Sequence, residues 1–473
     1  MGRRKKSVLV SGKQVLNGWE IRAGGRPARL PIAIVCVVAV IISLGIGLNG
    51  LNNAFGNAVT CAFGAGALLL LTLVSPPSPG FFTARALPVA CVVAGTAWAL
   101  LPNVMPWDVN LNLRPDLMLS ETLGVVGVLC ALLCGSRVGV RRADIGLTVD
   151  ALIVLAVLFA LAGILLRSFV GDLPYEIWQV RADARFTGTL GNANVAGAYC
   201  GMMAALTFSR LLSVRLDGPA GLQAAQIRLA HASAYLVALT VLLATCFLTG
   251  SRSAGAATLF VIGVIGIAKL RRRGRKRANN WILIAVGVIA VLMLAVGISD
   301  LFLDRLDAAA GGDRSNRPEM WAHYTQLFFA SPWFGYGLGA FETLNAQFLS
   351  DPIFAQGLWR VNSAHNLVLQ FLLDGGLVYF TMLTIAAILI ARVLVKRGAA
   401  LKWGQGSDGI VGALFIAIAS AMVDIALDVP AMALLTAFIA GLLWAPDRNP
   451  SRDLVSEPPA TDGKMSDRPR FAG

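Results

Sequence analysis

Apolar runs of the length that crosses a bilayer, about 20 residues, recur about a dozen times in this chain. They begin near Leu30, Ala58, Ala84, Thr122, Val149, Thr187, Ala232, Ser253, Trp281, Leu377, Gly409 and Pro430. A water-soluble core cannot absorb that much apolar surface: of 473 residues, 56% are hydrophobic and only 14% charged, with a mean hydropathy of +0.70. The strand alternation of an outer-membrane barrel is missing, and backbone groups in lipid must be satisfied within their own element, so the expected spans are helices. The expected fold is all-α, a polytopic bundle of about twelve transmembrane helices. The first run begins after some thirty residues without a small-residue cleavage site and reads as a retained helix rather than a removed signal. All seven cysteines lie in apolar runs, where they read as small core residues, not as a disulfide or metal framework.

Charge gives the expected sidedness. With the N-terminus inside and twelve spans, 31 of the 40 Lys and Arg fall on the cytoplasmic side, a strong positive-inside bias. The inner set includes the run KLRRRGRKR from Lys269 to Arg277, which reads as a topology signal touching anionic lipid headgroups rather than nucleic acid. Nine arginines break the bias: Arg114, Arg167, Arg181, Arg185, Arg252, Arg305, Arg314, Arg317 and Arg360. The expected organisation is a basic cytoplasmic tail (1–29), transmembrane helices one to nine (30–298), a periplasmic loop with an amphipathic helix (299–365), helices ten to twelve (366–445), and a disordered cytoplasmic tail (446–473). The long loop is rich in Trp and Phe. Its stretch Pro318 to Phe329 predicts a helix with Pro in the first turn, suited to capping a cavity or simply anchoring at the headgroup boundary.

Walker loops, dinucleotide fingerprints and zinc spacings are missing, which argues against nucleotide donors and leaves no expected cofactor or metal. Chemistry at an outer face without soluble activated donors needs a substrate that carries its own leaving group, and a lipid diphosphate is the evident candidate. Arg252 lies among small residues (Thr249-Gly250-Ser251-Arg252-Ser253), where a headgroup can approach a guanidinium fork; the bland alternative is a snorkelling arginine at a helix end. Arg314 and Arg317 lead into a predicted helix start, which favours an anion, and only one of the two need touch it. His365, in Asn362-Ser363-Ala364-His365-Asn366, stands at the mouth of the tenth apolar region, where an imidazole can take a proton near neutral pH. In the Thr187 run, Gly197 and Gly201 permit close helix packing, whereas Asn192 and Asn194 are costly in lipid unless they bond, so a polar cavity or broken helix is expected there, with Arg185 beside it.

Four blocks together resemble the O-antigen ligase and polysaccharide polymerase superfamily of bacterial inner membranes. They are Gly188 to Asn194 (GTLGNAN); Ser251-Arg252-Ser253; Arg317 four residues before Trp321, followed by Pro332-Trp333-Phe334-Gly335-Tyr336-Gly337; and Ala364-His365-Asn366 followed by Asp374-Gly375-Gly376. The resemblance implies an inverting, metal-independent glycosyltransferase of C-type architecture at the periplasmic face of the inner membrane, both termini cytoplasmic. Its donor would be an undecaprenyl-diphosphate-linked glycan and its acceptor a glycan, lipid A core or another hydroxyl. By the same resemblance Arg252 and Arg317 (or Arg314) hold the diphosphate, with Arg185 joining the basic site, and His365 orients or deprotonates the acceptor. Asn192, Asn194, Asn366 and Trp321 support the site. Asp374 stands where relatives often carry glutamate, and its role stays open. The competing readings are a twelve-helix secondary transporter, which would be expected to show two matching halves, and a non-catalytic subunit of a polysaccharide assembly complex.

Overall fold

The computed structural model describes residues 30–52, 55–78, 80–104, 115–169, 185–214, 222–273, 317–348, 361–400 and 406–445. Among these residues the secondary structure is helical, in the order α1 (Ile32–Gly47), α2 (Gly56–Val74), α3 (Ala86–Val104), α4 (Pro115–Val138), α5 (Arg142–Phe169), α6 (Ala193–Ser213), α7 (Leu222–Leu248), α8 (Arg252–Arg273), α9 (Arg317–Ala330), α10 (Phe341–Phe348), α11 (Leu367–Ala400), α12 (Ser407–Ala421) and α13 (Pro430–Leu443). Eight of them are long and apolar enough to cross a membrane, and α1, α12 and α13 are shorter apolar helices. The chain is thus a polytopic helical membrane protein. The span expected near Trp281, the two tails, Arg314 with the whole of the long loop before Arg317, and its later stretch 349–360 lie outside the described residues.

The sequence-based boundaries shift: the runs expected near Thr122, Val149 and Ala232 begin earlier, at Pro115, Arg142 and Leu222, and two further shifts bear on the site. The apolar run expected from Leu377 begins ten residues earlier, at Leu367, and continues through a kink at Gly375 and Gly376, where Gly376 has φ +65°. Hydropathy places the start late because Gln370 and Asp374 dilute the first turns. The Thr187 run does not enter a helix at once. It makes a short 3-10 turn over Gly188–Leu190, passes Gly191 in the left-handed region (φ +66°), and starts α6 only after Asn192, whose side chain accepts from the Asn194 and Val195 amides as an N-cap.

Helix α6 is the pillar of the bundle. Its window is 94% buried, against 17–39% for the other long spans, because α5, α7, α8 and α12 all pack on it. It earns that position with small residues: a Cβ at Gly197 would stand 2.7 Å from Thr249 Oγ1 and 3.0 Å from Ser251 Cβ, and one at Gly201 would collide with Thr258 of α8. Elsewhere α2 lies along α4, α4 along α13, and α3 along α11. Two of the sequence blocks form one structural unit: Tyr336 N donates to Leu373 O (2.7 Å), Gly337 N to Asp374 O (2.9 Å) and Leu377 N to Pro332 O (2.8 Å), so the Pro332–Gly337 turn is clamped to the kink of α11.

At 15 and 14 residues, α12 and α13 are only about 22 Å long each at 1.5 Å per residue, short of a hydrocarbon layer of about 30 Å. Their link, 422–429, is therefore drawn into the end of the bundle rather than looping beyond it.

Because Gly201 faces Thr258 across a closed seam, Gly201→Leu should separate α6 from α8 and cost on the order of 1–3 kcal/mol by overpacking. Thermal unfolding of the purified protein in detergent should show a clearly lower midpoint for this variant than for Gly263→Leu, which meets open space.

Candidate active site

The link between α12 and α13 carries Asp424 to the end of the bundle where α6, α8, α11 and α13 begin. Its side chain is only 2% exposed. Such a carboxylate must be fully hydrogen-bonded to stay charged, and the fold brings four donors to it. His365 Nδ1 lies 3.3 Å from Oδ1, and the Ile425 amide donates to the same oxygen at 2.8 Å. Arg317 Nη2 donates to Oδ2 at 2.6 Å, and Asn194 Nδ2 donates to that oxygen as well. Burial pushes the Asp424 carboxyl up, but the His365 contact, the Arg317 charge and the Ile425 amide outweigh it and hold the group below its usual 3.8. It is a carboxylate at neutral pH. Nearby Asp428 goes the other way: burial raises it above its usual value despite Ser363 and His365.

Each partner is positioned by its own local structure. Arg317 opens α9 with a side chain 36% exposed, so it reaches Asp424 and also the surface. His365 sits at φ +50°, a left-handed conformation that costs a non-glycine residue about 1–3 kcal/mol. Three contacts hold it there: Trp321 Nε1 donates to Ala364 O (3.1 Å), the Ala364 amide donates to Gln370 Oε1 (2.9 Å), and Asn366 caps α11 by accepting from the Val368 and Leu369 amides at 3.0 and 3.1 Å. Asn366 Nδ2 also donates to Met422 O (3.0 Å), tying the start of α11 to the link that bears Asp424. Asp374 stands one tier back. It accepts from Gln370 Nε2 (3.0 Å) and so braces the residue that holds the His365 turn.

Arg185 is half-buried; its Nε donates to Thr249 O and its Nη2 to Asn194 Oδ1, both at 2.8 Å. Arg252 opens α8 three residues beyond Thr249, its side chain exposed on the same rim. The structure therefore gathers His365, Arg317, Asn194 and Arg185 into one bonded chain around Asp424, places Arg252 on its rim, and gives Asn192, Asn366, Trp321 and Asp374 supporting positions. Asp424 and Asp428 are absent from the sequence-derived set, although two acids within Ala421-Met422-Val423-Asp424-Ile425-Ala426-Leu427-Asp428-Val429-Pro430, between two apolar runs, are a readable signal.

The arrangement suits proton transfer beside an anion. An ionised Asp424 facing Nδ1 fixes the tautomer with the proton on Nδ1, leaving Nε2 as the basic nitrogen. The helices that begin here direct the positive ends of their dipoles to the same place.

Since the folded value of Asp424 lies below 3.8, its ionisation contributes stability in full above that pH, and the contribution is lost as pH falls through the folded value. Melting of Asp424→Asn against the wild type should show a deficit at pH above 3.8 that shrinks as pH falls below it. A deficit independent of pH over that range would contradict a paired carboxylate.

Residues 237–384 match the family model described as O-antigen ligase. The match includes Arg252, Arg317, Trp321, His365 and Asp374 and leaves Arg185, Asn192, Asn194 and Asp424 outside it. A comparison with curated proteins gave no match. The matched segment runs from α7 into α11 and contributes both His365 and Arg317 to the buried carboxylate, so over these residues the chain is similar to O-antigen ligases, a likeness that supports glycan transfer of that general type.

Proposed function

We propose that this protein transfers a glycan from undecaprenyl diphosphate to an acceptor hydroxyl at the periplasmic face of the bacterial inner membrane, with inversion and without a metal. The observation that carries this is the pairing of His365 with the buried Asp424 carboxylate directly beside Arg317.

His365 Nε2 takes the proton of the acceptor hydroxyl as its oxygen attacks the anomeric carbon from the face opposite the diphosphate. The C–O bond to the diphosphate breaks, and its electron pair leaves with the phosphate oxygen. Asp424 stabilises the imidazolium that forms. Arg317 and the rim Arg252 meet the charge growing on the leaving group, an electrostatic contribution that replaces a metal ion. Holding donor and acceptor in one cleft supplies a further share of the acceleration. A lipid-borne donor fits a site that opens at the end of a membrane-spanning bundle, since the prenyl chain can remain among the exposed apolar helix faces while its head reaches the arginines. The same chemistry serves a ligase adding one chain, to lipid A core for example, and a polymerase adding repeat units.

In proteoliposomes with an undecaprenyl-diphosphate-linked oligosaccharide and an acceptor glycan, His365→Ala should lower the transfer rate by at least about 100-fold, the share of a positioned general base, while inserting normally. Undiminished transfer by that variant would reject the base assignment. Arg252→Ala should raise the donor KM by about tenfold or more, the value of a charge-assisted bond, with a smaller effect on kcat; Arg317→Ala should damage both, since Arg317 also braces Asp424. Chelators should leave the rate unchanged. Sizing the product distinguishes ligase from polymerase, one added chain against a ladder.

A further inference from the structure

The hydrogen bonds around Asp424 continue one step beyond the residues that can touch substrate. Asn194 stands between an anion and a cation: its Nδ2 donates to Asp424 Oδ2, and its Oδ1 accepts from Arg185 Nη2 at 2.8 Å. The chemistry of the two neighbours fixes which way this amide points, since a guanidinium must face oxygen and a carboxylate must face NH2. Its backbone is equally constrained, because the Asn194 amide donates to Asn192 Oδ1 at 2.8 Å in the first turn of the most buried helix. Arg185 in turn is held by Thr249 O, in the turn that leads to Arg252.

We infer that Asn194 is a positioning residue that tunes the base: its amide draws charge from Asp424 and carries the influence of Arg185 to the Asp424–His365 pair. The inference rests on the proposed role of His365 as the base. The groups facing this pair are Arg317 from α9, Asn194 from α6, and Ser363 and Asp428 from the segments before α11 and α13. Of these, Asn194 links Asp424 to a second arginine by hydrogen bonds on both sides.

Without the amide, Asp424 concentrates more negative charge toward His365, which favours the imidazolium. Transfer requires the neutral ring, so the acidic limb of the kcat–pH profile must move to higher pH.

The test measures that limb for the full chain in proteoliposomes with an undecaprenyl-diphosphate-linked oligosaccharide. Asn194→Ala should shift it upward with about a tenfold lower kcat near neutral pH, the order of one hydrogen bond to a charged group, and little change in donor KM. Asn194→Asp, nearly isosteric and able to fold where the alanine variant does not, should shift it further by adding a second carboxylate. Arg185→Ala should also shift the limb upward, and should add little once Asn194 is already alanine. An unmoved limb in Asn194→Asp, or additive shifts for Arg185 and Asn194, would overturn the inference. Testing His365→Ala in parallel distinguishes the two failures: full activity there removes the base itself, whereas loss there with unmoved limbs in the Asn194 variants removes only the tuning.

Discussion

A carboxylate that is 2% exposed inside a helical membrane protein is tolerated only if its surroundings replace water, because an unpaired buried charge costs several kcal/mol. Asp424 meets that condition with donors from four separate pieces of chain: its own link, α6, the start of α9 and the turn before α11. None of these pieces can move far without leaving a charge or an amide unsatisfied. The architecture of this end of the bundle, including the left-handed backbone at His365, is organised around that requirement.

The requirement reaches down into the packing. Asn194 can approach Asp424 only because α6 lies in the middle of the bundle, and α6 lies there because Gly197 and Gly201 let α8 and the Thr249–Ser251 turn come into contact with its backbone. The shortness of α12 and α13 does the complementary job from the other side, drawing their link inward. Close packing and polar chemistry are thus one design here: the glycines shorten the distances over which the polar groups must act.

Much of the bundle is legible in the sequence, because a bilayer imposes a length and a composition on each span and both can be counted. His365 and Arg317 are legible for a related reason: an imidazole or guanidinium at the edge of an apolar run is conspicuous. Asp424 is as conspicuous by that criterion, but its meaning depends on partners 59, 107 and 230 residues away, and hydropathy places α12 and α13 without indicating that their link folds inward. Arg185 and Asn194 were readable as polar residues near a helix start. That their side chains bond to each other, and that one of them bonds to Asp424, depends on the 3-10 turn and left-handed Gly191 that precede α6, which no run of apolar residues announces.

The span of the family match sharpens the division of labour. The matched segment supplies the proposed base His365, Arg252, Arg317 and the clamped kink, in which the Pro332–Gly337 turn and the Asp374–Gly376 bend hold each other. The groups bonded around that histidine, Asp424 and Asn194, come from chain on either side of that segment, the link before α13 and the start of α6. A histidine at a helix mouth is only a weak base until a carboxylate fixes its tautomer and stabilises its cation. On the proposed mechanism, the matched segment alone places the reacting groups without making them competent; the flanking chain completes the site, and substitutions there should act on pH dependence more than on substrate capture.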